Sequence, residues 1–419
     1  MKLNKLKIFI SAFIVIIANI VLFKKLSEQF GYMGYIYSDK SIFSYLTVFI
    51  FCLIPIIIFK LKNNSQTVLF TIYYNLLYLP IVVSFHMLSS YYDFIFNCSI
   101  FLLGFSLTLW LQEVKIYRPA NIGSKRIKKK YQSKISQLAI VFSGVLILYL
   151  FIFNYNNFGF VSLEDVYLKR STLTFDRFSG YSTLLITYFF APLILSIGLI
   201  RKKYYLIILG TTLSILMFGY TGSKISLFSP IFILFVNIIV SKSDKAHDIF
   251  FYLTNLFSFV IYILIYLYEY FGIISAIILQ RTFGNAGLLT HQYMIFFENN
   301  PNTYLSHNSL FKYFYDYPYA KDLGMVVFDY FSISDSESNS NANFLATDGI
   351  ASFDIFGVLF ISVIVGVYLN ITKHQLRNDN EIYTLMLVPF CMLLTNVSFF
   401  TILLSGGWIL FNIYLLRRI

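Results

Sequence analysis

Long apolar runs constrain this chain more than any other feature. Hydrophobic stretches of about 17–25 residues recur along its 419 residues, and a helix needs that length to cross a bilayer. Inside lipid every backbone N–H and C=O has to be paired within the segment, so these runs are predicted to be helices. Only 12% of the residues are charged, whereas about 25% is usual in soluble domains. The sequence therefore predicts an all-α, polytopic transmembrane helical bundle.

Twelve spans are predicted from the apolar runs and the charges that flank them. They lie near residues 7–23, 42–60, 67–87, 93–112, 136–153, 180–200, 204–219, 225–241, 249–271, 350–371, 381–397 and 400–416. The first run lacks a convincing small-residue cleavage site and is interpreted as a retained span. This pattern predicts nine spans with short loops over residues 1–280, one large external loop over 281–349, and three spans over 350–419.

Basic residues give the expected orientation. With the first residues inside, most of the 32 Lys and Arg residues fall on inner segments, and Lys/Arg-rich loops stay cytoplasmic. Both termini are therefore predicted to be cytoplasmic. The densest basic run, Lys115–Lys134, is short and poor in aromatic residues. We interpret it as a topology determinant that contacts anionic lipid headgroups, so membrane lipids are expected partners and nucleic acid is not.

Several basic residues are predicted outside, against this bias. Those of interest are Lys169, Arg170, Arg177, Lys224 and Arg281. Arg matches phosphate oxygens bidentately, while Lys offers a less directional charge. Such cations beside a membrane would suit a lipid-linked pyrophosphate. The alternatives are contact with lipid headgroups, snorkelling of Lys224 to the outer headgroups, or an ion pair with a nearby carboxylate such as Asp176.

Candidates for proton transfer lie in the large external segment. If a helix continues from Arg281 to Glu298, then Arg281, Gly284 and His291 share one face, and the glycine would leave bare backbone for a ligand. His291 is the first choice as general base because the free pKa of histidine lies near working pH. His307 is the competing histidine, and Asp348 is the first choice among the carboxylates.

Other ligand classes find little support in the sequence. Cys52, Cys98 and Cys391 lie within predicted spans without a CxxC pair or a neighbouring His cluster, so no metal site is expected. No Walker-type loop occurs, and no GxGxxG motif follows a strand. We therefore expect no cofactor, and this pattern disfavours a nucleotide-driven pump. The aromatic stretch Phe311–Tyr319 could stack on sugars or form an interfacial belt.

The stretch Asn341–Gly357, NANFLATDGIASFDIFG, resembles the oligosaccharide repeat-unit polymerases, the Wzy-type O-antigen polymerases of bacterial envelopes. The resemblance extends to Thr221-Gly222-Ser223-Lys224 and to the plan of many spans with one large, late periplasmic loop. It implies metal-independent glycosyl transfer on the periplasmic face of the inner membrane. A glycan on undecaprenyl pyrophosphate would pass to a repeat unit on a second carrier. The resemblance also implies roles for Arg170, Arg177 and Arg281, and a chain-length regulator as a possible partner.

Three other functions stay open on the sequence. A flippase for the same lipid-linked units would also have about twelve spans, but it has little use for a long external segment. An O-antigen ligase would use the same donor with a different acceptor. A membrane acyltransferase is disfavoured because the predicted spans contain no paired histidines. For the polymerase, the default chemistry is a single displacement with inversion, since no nucleophile is evident.

Overall fold

The fold is helical throughout the part of the chain that the computed structural model describes, residues 2–59, 61–114, 129–162, 165–243, 245–332, 339–375 and 380–416. No strand occurs among these residues, which confirms the all-α prediction. Within the same residues seven helices are long and apolar enough to cross a membrane, and four shorter apolar helices accompany them. Residues 115–128, most of the predicted basic run, lie outside the described residues.

The helices follow the predicted spans closely along most of the chain. In chain order they are α1 (Lys2–Phe30), α2 (Ile42–Ile58), α3 (Asn64–Leu88), α4 (Tyr91–Glu113), α5 (Lys129–Phe153), α6 (Val166–Thr172), α7 (Arg177–Ile200), α8 (Tyr204–Thr221), α9 (Lys224–Lys242), α10 (Ala246–Phe271), α11 (residues 273–299), α12 (Leu323–Phe331), α13 (residues 345–353), α14 (Gly357–Gln375), α15 (Asn380–Leu394), α16 (Phe399–Leu404) and α17 (Trp408–Leu416). π-Helical turns interrupt α3, α7, α11 and α13.

The chain folds as two compact units. The first comprises Met1–Val114, Ser243–Leu369 and Leu393–Phe400, and the second comprises Lys115–Lys242, Asn370–Met392 and Thr401–Ile419. Both units are therefore built from separated parts of the sequence. The predicted division at 1–280, 281–349 and 350–419 concerns exposure on the two sides of a membrane, and it stays a prediction.

In the first unit, α3 is the central helix and its apolar stretch is entirely buried. The later part of α11 packs along it. The two helices meet at Gly287, where a Cβ atom would overlap the carbonyl oxygen of Pro80. A Cβ at Gly284 would likewise overlap the Tyr35 and Leu26 side chains. The backbone at Gly284 is therefore covered by protein, which corrects the expectation that it lies open to a ligand.

The segment 281–349 is only partly irregular. Residues 281–299 continue α11 as a helix, which is the case in which Arg281 and His291 were expected to share one face. Most side chains from Phe283 to Phe297 are buried, so this part is packed helix rather than loop. Between Asn300 and Phe344 the described residues form turns apart from α12. The polar composition of α11 misled the prediction because its polar side chains are buried by pairing within the protein.

Two predicted spans near the C-terminal end also differ. The run at 400–416 is broken into α16 and α17 at Gly406-Gly407, where Gly407 has φ +76°. Such a left-handed conformation ends a helix at little cost only for glycine. The run at 350–371 begins as a regular helix only at Gly357, after a turn at Asp354.

In the second unit, α7 and α8 pack closely against each other. Gly198 and Gly210 lie at the contact, and a Cβ at either would stand 2.7 Å from a backbone nitrogen of the opposite helix. Small residues that allow such close backbone approach are typical of helix pairs in membranes. This close packing fixes the position of the C-terminal end of α8. Lys169 and Arg170, two of the candidate cations, contact that end of the helix.

Candidate functional site

Asp348 is the centre of the candidate site. It lies in the π-helical part of α13 and is 0% exposed. Its Oδ1 accepts hydrogen bonds from Ser398 Oγ at 2.6 Å and Asn308 Nδ2 at 3.1 Å, and its Oδ2 accepts one from the Phe399 N–H at 2.6 Å. Burying a carboxylate is expensive unless its oxygens are taken up by donors. Asp348 thereby joins three segments that are far apart in sequence.

His307 completes this site as its less buried member. Its Nε2 lies 3.4 Å from Asp348 Oδ1, and its Nδ1 lies 3.0 Å from Thr303 Oγ1. Thr303 Oγ1 is itself 3.0 Å from the carbonyl oxygen of Ala351. The His307 side chain keeps 8% of its surface exposed, whereas Asp348 keeps none. Of the two predicted groups, His307 is therefore the one that a substrate hydroxyl could reach.

Backbone strain is concentrated around the same residues. Tyr304 and Leu305, directly before Ser306 and His307, have φ of +47° and +68°. Asp354, at the end of the α13 turn, has φ +56° and ψ −162°, a region used almost only by glycine. In the described residues only Lys202 is a further non-glycine residue with positive φ. Such strain persists where surrounding contacts over-determine the backbone, and it clusters at functional sites.

Asn343 holds the stretch 341–357 in place. It is 0% exposed, and its Nδ2 donates to Ala286 O at 3.0 Å and Thr290 Oγ1 at 2.6 Å. Its Oδ1 accepts from the N–H groups of Leu345 and Ala346 at 3.0 and 3.2 Å. All hydrogen-bonding groups of the amide are thus used. Asn343 anchors α13 to α11 and so sets the position of Asp348.

His291 lies elsewhere in the first unit and is a poor candidate for the base. It is buried in α11, and its ring meets Phe85 edge-on at 5.2 Å between centroids. Burial lowers the pKa of His291 to about 4, because a low dielectric disfavours the charged imidazolium. No hydrogen bond joins it to His307 or Asp348 among the described residues. The geometry favours His307 over His291.

Lys169 and Arg170 have a structural explanation in the second unit. Lys169 Nζ donates to the carbonyl oxygens of Gly159 and Gly219. Arg170 donates from Nε to Thr221 O at 3.3 Å and from Nη2 to Gly222 O at 3.1 Å. The last carbonyls of a helix have no intrahelical partner and carry the negative end of its dipole. Both cations therefore stabilise the C-terminal end of α8, which accounts for their predicted position against the charge bias.

Of the remaining predicted cations, Arg177 and Lys224 begin helices and Arg281 lies within α11. Arg177 is exposed at the first residue of α7. The preceding Asp176 accepts from the N–H groups of Phe178 and Ser179 at 3.0 and 3.3 Å. The Ser179 hydroxyl, followed by these amides, lowers the pKa of Asp176. Lys224 is the first residue of α9, and Arg281 is exposed in the π-turn of α11.

The predicted site residues thus fall into two groups. Arg281, His291, His307 and Asp348 belong to the first unit, and Lys169, Arg170, Arg177 and Lys224 belong to the second. The structure brings His307 to Asp348, and it brings Lys169 and Arg170 to the end of α8. Sequence reasoning missed Thr303, Asn308, Asn343 and Ser398 as parts of the site. Asn308 adjoins a predicted histidine and Asn343 lies in the quoted motif, but Ser398 carries no local signal.

The site does not resemble a metal centre. Within the described ranges no group of three or more His, Cys, Asp or Glu side chains is placed to hold a metal ion. The thiols of Cys52, Cys98 and Cys391 are all buried and form no disulfide. The Asp348 carboxylate is instead surrounded by neutral N–H and O–H donors. The carboxylate is therefore held by hydrogen-bond donors.

No family model, curated protein or solved structure matches this chain significantly.

Proposed function

We propose that this protein is an O-antigen type polymerase, a membrane glycosyltransferase that joins oligosaccharide repeat units carried on undecaprenyl pyrophosphate at the periplasmic face of the bacterial inner membrane. One observation carries the proposal. Asp348 lies within the stretch that resembles the repeat-unit polymerases, and its buried Oδ1 lies 3.4 Å from Nε2 of His307, whose side chain is 8% exposed. A histidine beside a carboxylate suits general base catalysis at a sugar hydroxyl.

The proposed reaction is a single displacement. The acceptor hydroxyl oxygen forms a bond to the anomeric carbon of the donor, and the bond from that carbon to the pyrophosphate oxygen breaks with its electron pair. His307 takes the hydroxyl proton. Asp348 stabilises the resulting imidazolium by its charge and by holding the surrounding loop. Full burial makes Asp348 a positioning group in this scheme, rather than the base that receives the proton directly.

Cations are proposed to stabilise the departing pyrophosphate. Arg281, Arg177 and Lys224 are the candidates, because Arg and Lys side chains carry the positive charge that pairs with phosphate oxygens. The first turn of α9, where Lys224 lies, adds the positive end of a helix dipole. Preorganised positive charge of this kind is usually the largest catalytic contribution in group transfer. The proposal therefore needs no metal ion.

The proposed topology is that of a multi-pass protein with about twelve spans and both termini cytoplasmic. Seven long apolar helices support it, together with the shorter helices α2, α5, α14 and α15. The broken pair α16 and α17 would supply the twelfth crossing. Proposed partners are the lipid-linked oligosaccharide, membrane lipids and a chain-length regulator protein.

A deletion strain tests this proposal against transport. A polymerase acts after the lipid-linked unit has crossed the membrane, so its loss should still allow single repeats to be ligated. We expect a surface glycan of core plus one repeat, seen as a single band in place of a ladder. Loss of a flippase would leave no capped glycan, and that outcome would overturn the proposal when ligase and flippase genes are intact.

Complementation of the same deletion strain tests whether His307 is needed for polymerisation. Wild-type protein should restore the ladder and His307→Gln should not, at equal amounts of membrane protein. His247→Gln is the matched control, since His247 lies at the start of α10. A full ladder from the His307→Gln variant would exclude His307 as the base.

A further inference from the structure

Asn308 connects His307 to Asp348 through a single amide. Its Nδ2 lies 2.9 Å from His307 Nε2 and 3.1 Å from Asp348 Oδ1, and the residue is 7% exposed. Its Oδ1 lies 3.1 Å from Ser398 Oγ. The orientation of this amide decides which hydrogen each neighbouring atom can carry. It therefore also decides whether Nε2 of His307 carries a hydrogen or a lone pair.

The carboxylate determines the amide orientation. Ionised Asp348 has lone pairs and no hydrogen to give, so the Asn308 atom at 3.1 Å has to be the NH₂ group. An amide oxygen there would face a carboxylate oxygen with no hydrogen between them. The same NH₂ nitrogen lies 2.9 Å from His307 Nε2. Two N–H donors cannot share that short distance, so Nε2 carries a lone pair.

The other side of the ring is consistent with this assignment. With Nε2 unprotonated, neutral His307 carries its hydrogen on Nδ1, which lies 3.0 Å from Thr303 Oγ1. Thr303 Oγ1 can accept that hydrogen because its own hydroxyl hydrogen reaches Ala351 O at 3.0 Å. A backbone carbonyl only accepts. Hydrogen bonds therefore run in one direction from the ring to the backbone of α13, and each donor has an acceptor.

We infer that Asn308 is a positioning residue that holds His307 as the neutral Nδ1–H tautomer, with the lone pair of Nε2 accepting a hydrogen bond from the Asn308 NH₂ group. A proton taken up on Nε2 then arises 3.4 Å from the carboxylate that stabilises it. Uptake also turns Nε2 into a donor, so the NH₂ group of Asn308 has to move away. The role of Asn308 in glycosyl transfer rests on the proposed function, whereas the tautomer does not.

The tautomer is measured directly by ¹⁵N solid-state NMR. Full-length protein in lipid, labelled with ¹⁵N-histidine, is compared at neutral pH with the His307→Gln variant, and the difference isolates His307. We expect a protonated Nδ1 and an unprotonated Nε2. A protonated Nε2, alone or together with Nδ1, would overturn the inference, because Asn308 would then present its oxygen to the ring.

Substitutions of Asn308 separate positioning from folding. Asn308→Asp keeps the size of the side chain but places a second carboxyl group against Nε2. We expect the Nε2 signal of this variant to become protonated, with loss of the glycan ladder in folded protein. Asn299→Ala, an exposed asparagine of α11, should change neither readout. An unprotonated Nε2 in Asn308→Asp would overturn the inference. Loss of the NMR effect refutes the positioning role, whereas an unchanged ladder with the NMR effect present refutes the role of His307 as the base of the proposed reaction.

Discussion

The carboxylate of Asp348 accepts a hydrogen bond from the backbone N–H of Phe399 at 2.6 Å across 51 residues of sequence. Phe399 is the first residue of α16, whose first N–H groups have no partner within the helix. Asp348 therefore acts as a capping group supplied from another helix. The same carboxylate accepts from Asn308 and Ser398, so one buried side chain connects α13, α16 and the turn that carries His307.

Asp348→Asn should destabilise the protein. The substitution keeps the shape but brings an NH₂ group among donors that all require an acceptor, and an unsatisfied buried group costs about 1–3 kcal/mol. Thermal unfolding of purified protein in detergent measures the change. Ser398→Ala is the comparison, since it removes one donor and should cost only about 1 kcal/mol. An Asp348→Asn variant as stable as wild type would contradict the capping role.

His291 should make stability depend on pH. Its folded pKa of about 4 lies below the ordinary value of 6.5, so the unfolded chain takes up the proton first as pH falls. Stability from this group is fully present above pH 6.5 and is lost as pH falls toward 4, by about 3 kcal/mol in total. The His291→Gln variant should lose less stability than wild type between pH 7 and pH 4.5 in thermal unfolding. Parallel pH profiles for the two proteins would refute this assignment.

Gly287→Ala and Gly144→Ala should have opposite effects on stability. A Cβ at Gly287 overlaps Pro80 O, whereas a Cβ at Gly144 meets nothing within 4 Å. Both residues lie inside helices, where alanine is favoured over glycine by about 1 kcal/mol. We expect Gly144→Ala to be neutral or stabilising, and Gly287→Ala to cost about 1–3 kcal/mol or more through overpacking. Thermal unfolding of both variants checks the close contact of α11 with α3, and equal unfolding temperatures would argue against it.

Arg281→Ala and Lys224→Ala should abolish long glycan chains while leaving one-repeat products. Under the proposed function, each substitution removes positive charge that stabilises the leaving pyrophosphate. Arg281→Lys should restore the ladder only in part, because Lys cannot form the bidentate contact. The readout is the chain-length ladder at matched protein levels. An unchanged ladder in Arg281→Ala would assign Arg281 to lipid headgroup contact instead.

Reporter fusions test the proposed topology. A reporter after Asn339 should be periplasmic and one after Lys129 should be cytoplasmic, since the positive-inside rule places the basic run inside. Alkaline phosphatase, which is active only outside the cytoplasm, and a fluorescent protein that matures only inside would report on each site. Finding both sites on the same side would exclude the predicted arrangement and the roles assigned to the outer cations.

Local patterns were sufficient to predict most helices. The predicted span 67–87 corresponds to α3 (Asn64–Leu88) and the predicted span 204–219 to α8 (Tyr204–Thr221). In lipid or in a packed bundle, a long apolar run can pair its backbone N–H and C=O groups only as a helix. Length and composition therefore decide that such a run is helical.

What the sequence alone determined was therefore the helical class, the positions of most apolar helices, and His307 and Asp348 as candidates for the site. Tertiary structure decided which histidine meets the carboxylate, that Lys169 and Arg170 hold the end of α8, and that α11 is buried despite its polar residues. These outcomes depend on partners distant in sequence, such as Thr290 with Asn343 and Asp348 with Ser398. A buried polar group is stable only when such a partner is in place, and no local pattern specifies a partner some fifty residues away.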